Sequence, residues 1–200
     1  GVLASLGFTS DVSSSRILSY IDSSSSGVLA LASDRTETFD MSSHASLFIG
    51  ALEGTEVHYG SAETALGTNA SGQWLLGGGG GALYVDSLLE GENRQLIVGN
   101  AYGTGKVVLT NAANTASGTI IFGGGVTLDY VEGALGNLYF DLSYTNASYY
   151  TEGGSREFLS SYVNENADGI LLLDRSSDAT IDLRNHALLA LGSSDSEAGT

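Results

Sequence analysis

Two hundred residues are enough for one sizeable domain, or for a segment of something longer. Aspartate and glutamate outnumber lysine and arginine by 23 to 7, a formal charge of −16. That balance argues against nucleic acid and anionic membrane surfaces as partners, because binding them depends on neutralising cations. Cysteine is absent, which removes disulfides, thiolate chemistry and cysteine-ligated zinc or iron–sulfur sites together.

Glycine is 28 of 200 residues and proline is zero, yet 42% of the chain is hydrophobic, too much for a disordered segment. No apolar run approaches the roughly 20 residues of a transmembrane helix. The sequence opens Gly1-Val2-Leu3-Ala4 with no basic region, so no signal peptide is visible and an export signal is expected elsewhere.

In chain order, short apolar runs recur at residues 17–18, 28–31, 39–41, 47–49, 57–59, 74–76, 83–85 and 96–98. They continue at 107–109, 120–122, 126–128, 138–142, 158–159, 170–173, 181–183 and 188–191. Gly, Ser, Asp and Asn separate them, mostly at the eight- to twelve-residue rhythm of an all-β protein with many short strands. A sandwich or barrel fits that rhythm as well as a solenoid does.

The stretch 103–128 reads GTGKVVLTNAANTASGTIIFGGGVTL. Gly103, Gly105, Val107, Leu109, Thr110, Asn114, Ser117, Gly118, Gly124 and Leu128 form a pattern that resembles the autotransporter-associated β-strand repeat, found in passenger regions of bacterial surface proteins. The resemblance covers about an eighth of the chain, and the motif is degenerate. It implies a right-handed parallel β-helix on the outside of a bacterium, with a β-barrel translocator that these residues do not themselves encode.

An internal repeat separates the architectures. Residues 19–50 (SYIDSSSSGVLALASDRTETFDMSSHASLFIG) align without a gap on 161–192 (SYVNENADGILLLDRSSDATIDLRNHALLALG), an offset of 142. Identities include Tyr20/Tyr162, Gly27/Gly169, Leu29/Leu171, Asp40/Asp182, His44/His186 and Gly50/Gly192. One complete period and the opening of a second point to a single continuous segment, residues 1–200, taken from a tandem array. Stacked repeats extend, whereas a barrel closes. The expected coil holds roughly 20 residues in about three strands stacked ~4.8 Å apart. Zero proline suits a solenoid, whose strands are paired on both sides.

Motifs that could carry chemistry have plainer readings. The five glycines 77–81 are followed by Ala82-Leu83-Tyr84, and Lys106 by Val107, so neither completes a phosphate-binding loop. Asp40 and His44, with Ser42 and Ser43 beside them, suggest a hydrolase triad. The second copy replaces the serines with Arg184 and Asn185, and no Gly-x-Ser-x-Gly elbow occurs, so a structural corner is expected. Asp22, Asp34, Glu37, Asp40, Glu53 and Glu56 are scattered where calcium would need six to eight converging oxygens, and Glu90/Glu92 and Asp195/Glu197 read as solvated loop charges. Tyr144, Tyr149 and Tyr150 fit either exposed sugar contacts or an internal ladder. Asn69-Ala70-Ser71 and Asn146-Ala147-Ser148 match the glycosylation sequon and read as loop chemistry.

The sequence therefore supports an all-β, right-handed parallel β-helix built from tandem repeats. Its expected role is a structural or adhesive segment of a secreted bacterial surface or fibre protein, with no catalytic residues, cofactor or metal in this window. Expected partners are flanking repeats or like copies, and a host glycan or protein. The alternatives are a carbohydrate-active enzyme on the same fold and a ligand-binding passenger that uses His44 and His186.

Overall fold

The computed structural model describes residues 12–100, 103–123, 125–141, 147–151, 169–173, 181–182 and 187–191, with side chains as far as residue 138. The chain is a parallel β-solenoid of about five turns. One sheet takes β1 (Val28–Leu31), β2 (Phe48–Ala51), β4 (Gln73–Leu76), β6 (Arg94–Val98), β8 (Ser117–Phe122), β10 (Asn137–Asp141) and β13 (Ile181–Asp182), in that order. A second takes β3 (Glu56–Tyr59), β5 (Ala82–Val85), β7 (Thr104–Leu109) and β9 (Gly125–Tyr130). A third joins β11 (Ala147–Thr151), β12 (Gly169–Leu173) and β14 (Ala187–Leu191). Among the described residues all the strand pairs are parallel, so each must be reached by a crossover, and here the crossover is the rest of a coil.

Alternation within each short strand sends every second side chain inward. Register then stacks like on like. In the first sheet the inward column is Leu29, Ile49, Leu76, Val98 and Phe122, each one coil beyond the last. In the second it is Tyr59, Val85, Leu109 and Tyr130. All of these are buried in one continuous core, and the single tryptophan, Trp74, donates its indole N–H to the Leu66 carbonyl at 2.9 Å. The steps from Leu29 to Ile49 and from Ile120 to Phe140 have the expected length, and the coils between them are longer. A coil has two regular strands rather than three, and its third side is irregular, held by the Ala65–Leu88 bridge and by inward-facing Leu66, Leu89 and Leu135.

Side-chain amides replace strand pairing on that third side. Asn114 Oδ1 accepts the Leu89 N–H at 2.7 Å while its Nδ2 donates to the Ala134 carbonyl at 2.7 Å, so one residue ties three successive coils. Asn111 also ties three coils, donating to Ala62 and Asp86, and Asn69 ties its turn to one neighbouring coil by donating to Ala45. A buried backbone group without a partner is costly, so these amides are what allow the irregular side to be buried.

Glycine supplies the sharp corners between the two sheets. Gly77, Gly78, Gly79 and Gly80 all have positive φ, and a Cβ on Gly50 would lie 2.1 Å from the Gly78 carbonyl oxygen of the next coil. The five-glycine run is therefore a close backbone-on-backbone crossing.

Two apolar runs fold differently from their neighbours. Ile17 and Leu18 lie on a helical turn, α1 (Ser14–Leu18), N-capped by Ser13, and both are buried in the core next to the first coil. Residues 39–41 make no strand: Phe39 and Met41 reach the core around a single 3₁₀ turn, Met41–Ser43, capped by Asp40. Such short apolar steps do not distinguish helix from strand, and packing decided both. Conversely, β11 comes from the tyrosine-rich stretch that carried no apolar run. The run at 158–159 lies outside the described residues.

The repeated segments share their first and last strands but not the register between them, and Ile181–Asp182 forms a strand where the equivalent Phe39–Asp40 does not. β1 meets β2 with Val28 opposite Phe48. In the second copy Ile170 is the equivalent of Val28 and Ala190 of Phe48, yet Ile170 stands opposite Leu188 and Ala190 opposite Leu172. A shift of two leaves the same alternate residues on the same face.

Candidate functional site

Stacking brings together residues that the sequence holds about one coil apart. On the outer face of the second sheet, register aligns His58, Tyr84, Val108 and Asp129 in one column and Glu56, Ala82, Lys106 and Thr127 in the next. The His58 and Tyr84 rings stack with centroids 4.9 Å apart and planes 19° apart. Lys106 Nζ sits 3.1 Å from Asp129 Oδ2.

At the strand ends a second group forms. Asp34 Oδ1 accepts the His58 backbone N–H at 2.9 Å, and Asp86 Oδ2 accepts from His58 Nδ1 at 2.8 Å. The Thr110 hydroxyl donates to Asp86 on its other carboxylate oxygen and approaches the Val85 carbonyl. Because the carboxylate can only accept, the imidazole must carry its proton on Nδ1. The His58 side chain remains 53% exposed.

This order, hydroxyl to carboxylate to imidazole, does not make a nucleophile. In a hydrolytic triad the imidazole stands between hydroxyl and carboxylate and takes the hydroxyl proton. Here the carboxylate is in the middle, so Thr110 is not activated. What the arrangement does provide is a polar strip that staples four successive coils and sets an imidazole, a phenol, an ammonium and carboxylates along one axis.

The other singled-out residues sit at corners. Asp40 Oδ1 accepts the Ser42 N–H at 3.0 Å, and hydrogen bonds from Ser42 hold its carboxyl below the usual range. His44 is buried, and its Nε2 donates to the Ile21 carbonyl at 3.2 Å. That leaves the Nδ1 lone pair unpartnered, beside a water-sized cavity between Met41, Ile49, Asn69 and Trp74. Asp40 and His44 thus each serve their own turn, and His186, Asp182's side chain and Arg184 lie outside what is described.

The acidic residues disperse likewise. Asp22 caps Ser24, Glu37 accepts the Ser14 N–H at 2.7 Å, and Glu90 and Glu92 are exposed. Among the described residues no three His, Asp or Glu side chains converge on a point that could hold a metal ion. Asn69 of the first sequon is buried, its Oδ1 accepting from Ser71 and Gln73, so it serves as a turn residue. Asn146 and Tyr144 fall outside the described residues, as do Asp195 and Glu197. Of the autotransporter-like pattern, Val107, Leu109 and Leu128 are fully buried and Gly105 and Gly118 have positive φ, while Gly124 is not described.

The sequence does not single out His58 or Asp86, and it offers Thr110 only as part of the autotransporter-like pattern. Aligning the chain on its own coil spacing would have found them, since positions 34, 58, 86 and 110 each lie one coil beyond the last.

No protein-family model, curated protein or solved structure matches this chain.

Proposed function

We propose that this chain is a structural and adhesive segment of a long extracellular bacterial surface or fibre protein, of the autotransporter-repeat kind that residues 103–128 resemble. The observation that supports it best is the axial continuity of the core. The columns from Leu29 to Phe122 and from Tyr59 to Tyr130 run coil upon coil with every strand parallel. Such a stack gains stiffness from length, and backbone bonds along the axis resist extension. A charge of −16 keeps such rods apart in solution.

The His58–Tyr84–Lys106 strip favours the adhesive half of this reading. An exposed imidazole stacked on a half-buried phenol, with an ammonium nearby in a fixed axial array, suits a protein or glycan ligand on a host surface.

Electron microscopy of the protein from its native source, with antibody labelling of intact cells, tests the structural half. Thin unbranched rods at the cell surface are expected, and compact particles confined inside the cell overturn it. For the adhesive half, His58→Ala with Tyr84→Ala should abolish host-cell attachment while circular dichroism stays unchanged. Attachment that survives both substitutions removes this face from consideration.

A further inference from the structure

The two copies of the repeated segment meet different neighbours on the same strand edge. Among the described residues β1 is the edge strand of its sheet, paired only with β2. β12 is its equivalent in the second copy, and it pairs on that edge with β11, Ser148 opposite Ile170 and Thr151 opposite Leu173. The repeated sequence therefore accepts a preceding parallel strand in one place, whereas in the other no described strand occupies that edge.

What stands at the β1 end instead is α1, fastened by a latch. Ser14 donates its N–H to Glu37 Oε2 at 2.7 Å, and Arg35 Nε donates to the Ser14 hydroxyl at 2.9 Å. The same guanidinium bonds the Val12 carbonyl, lies 3.3 Å from Glu37 Oε2 and stacks on the Phe39 ring. With α1 held, Ile17 and Leu18 bury in the same core as Leu29 and Phe39. At the corresponding positions of the second copy, Ser14, Arg35 and Glu37 become Arg156, Ser177 and Ala179. All three latch residues are thus missing from the copy whose edge is strand-paired, and present in the copy where α1 stands.

We infer that α1 with its Ser14–Arg35–Glu37 latch is a displaceable cover over a strand-docking site, and that the site's partner is the 147–151 segment of a second copy of this chain. The register follows from the pair already formed. Ser148 should stand opposite Val28, Tyr149 opposite Leu29, and Thr151 opposite Leu31, by parallel strand addition. In its own chain that edge of 147–151 pairs with β12, so docking on β1 of another copy requires the segment to leave β12. Because partner and site are different surfaces, the contact is head-to-tail and propagates along the axis. The inference deepens the structural reading above by naming the joint between units, but its test does not depend on where the protein resides.

The chain has no native cysteine, so a disulfide can report the contact without background. The probe is a peptide of residues 145–152 with Ser148→Cys, added under mild oxidation to the full chain carrying Val28→Cys. Directly paired parallel residues lie within disulfide reach, while a one-residue slip turns the side chains to opposite faces. Cross-linking at Val28→Cys is expected, rising at least about fivefold when Arg35→Ala opens the latch. Leu29→Cys with the same peptide should give almost none. Glu37→Gln loosens the latch more gently and carries the test if Arg35→Ala loses its fold by Trp74 emission. Equal yields at positions 28 and 29, or no cross-link with a folded, latch-opened chain, overturns the inference. Rods on the cell surface with no such cross-link would leave the structural role standing and remove only this joint.

Discussion

The Tyr59 hydroxyl accepts the Phe39 backbone N–H at 2.8 Å inside the core, with the two rings 6.0 Å apart. The bond gives the buried phenol a partner inside the core, and it satisfies the backbone of Phe39, which is buried without a strand of its own. Replacing Tyr59 with Phe keeps the ring but orphans the Phe39 N–H, at a cost of about 1–3 kcal/mol. Urea denaturation followed by Trp74 emission should show the midpoint fall with an unchanged slope. A variant as stable as the parent would mean another acceptor takes over that N–H.

The same burial sets an alkaline limit. Desolvation raises the Tyr59 phenol well above its ordinary value of 10.0, outweighing the lowering by the Phe39 bond. Below about pH 10 the group is protonated in both folded and unfolded chains, and its contribution is fully present. As pH rises further the unfolded chain loses the proton first, so stability falls. In a spectrophotometric titration from about pH 9 to about pH 12 Tyr59 should stay un-ionised until the protein unfolds, and Tyr59→Phe should reduce the late step by one tyrosine.

Two glycines separate close backbone approach from ordinary turn-making. Gly118 has φ +139°, and a Cβ there would lie 1.9 Å from the Arg94 carbonyl oxygen of the preceding coil. Gly118→Ala should cost about 2–5 kcal/mol, strain and overpacking together. Gly27 meets nothing within 4 Å and lacks a positive φ, so Gly27→Ala should be neutral or stabilise by up to about 1 kcal/mol. Thermal melts of the two variants should move in opposite directions, or Gly27's not at all.

Much of this architecture was legible because it is local. Residues 107–109 and 120–122 are continuous apolar runs, and the glycines beside them mark the corners, so β7, β8 and β9 could be read from residues 103–128 alone. The coil length was not legible in the same way. The step from Ile49 to Leu76 is long because residues 60–72 form an irregular side that carries few apolar residues. Ile17 and Leu18 gave no period to distinguish helix from strand. The His58 strip was invisible for another reason: its members are brought together only by the stacking of coils, which no short window contains.

Asn114 was recognised as part of a motif, but its work is visible only in three dimensions. Asn114→Ala leaves both the Leu89 N–H and the Ala134 carbonyl buried without partners, at about 1–3 kcal/mol for each group that water cannot reach. Hydrogen exchange should show the Leu89 amide losing protection first, while amides of β2 and β1, two and three coils from Asn114, keep theirs. Uniform loss along the whole stack would mean that coils unfold as one unit rather than fraying locally.

The latch on α1 should also respond to acid. The Ser14 backbone N–H, ahead of the Ser14 hydroxyl and Arg35, holds the Glu37 carboxyl below its ordinary value of 4.5. A depressed folded-state pKa means that the stabilisation is fully present above the unfolded value and is lost as pH falls through the folded one. Asp22 and Asp40, lowered by hydrogen bonds from Ser24 and Ser42, titrate in the same window. The first coil should therefore loosen below about pH 4, ahead of the coils between β4 and β9. Proteolysis at falling pH, read by mass spectrometry, should cut near residues 12–25 before it cuts between β4 and β9. Glu37→Gln removes the titrating group and should flatten that pH dependence while cutting more readily at neutral pH. Earlier cleavage between β4 and β9 would show that Glu37 does not govern the end of the stack.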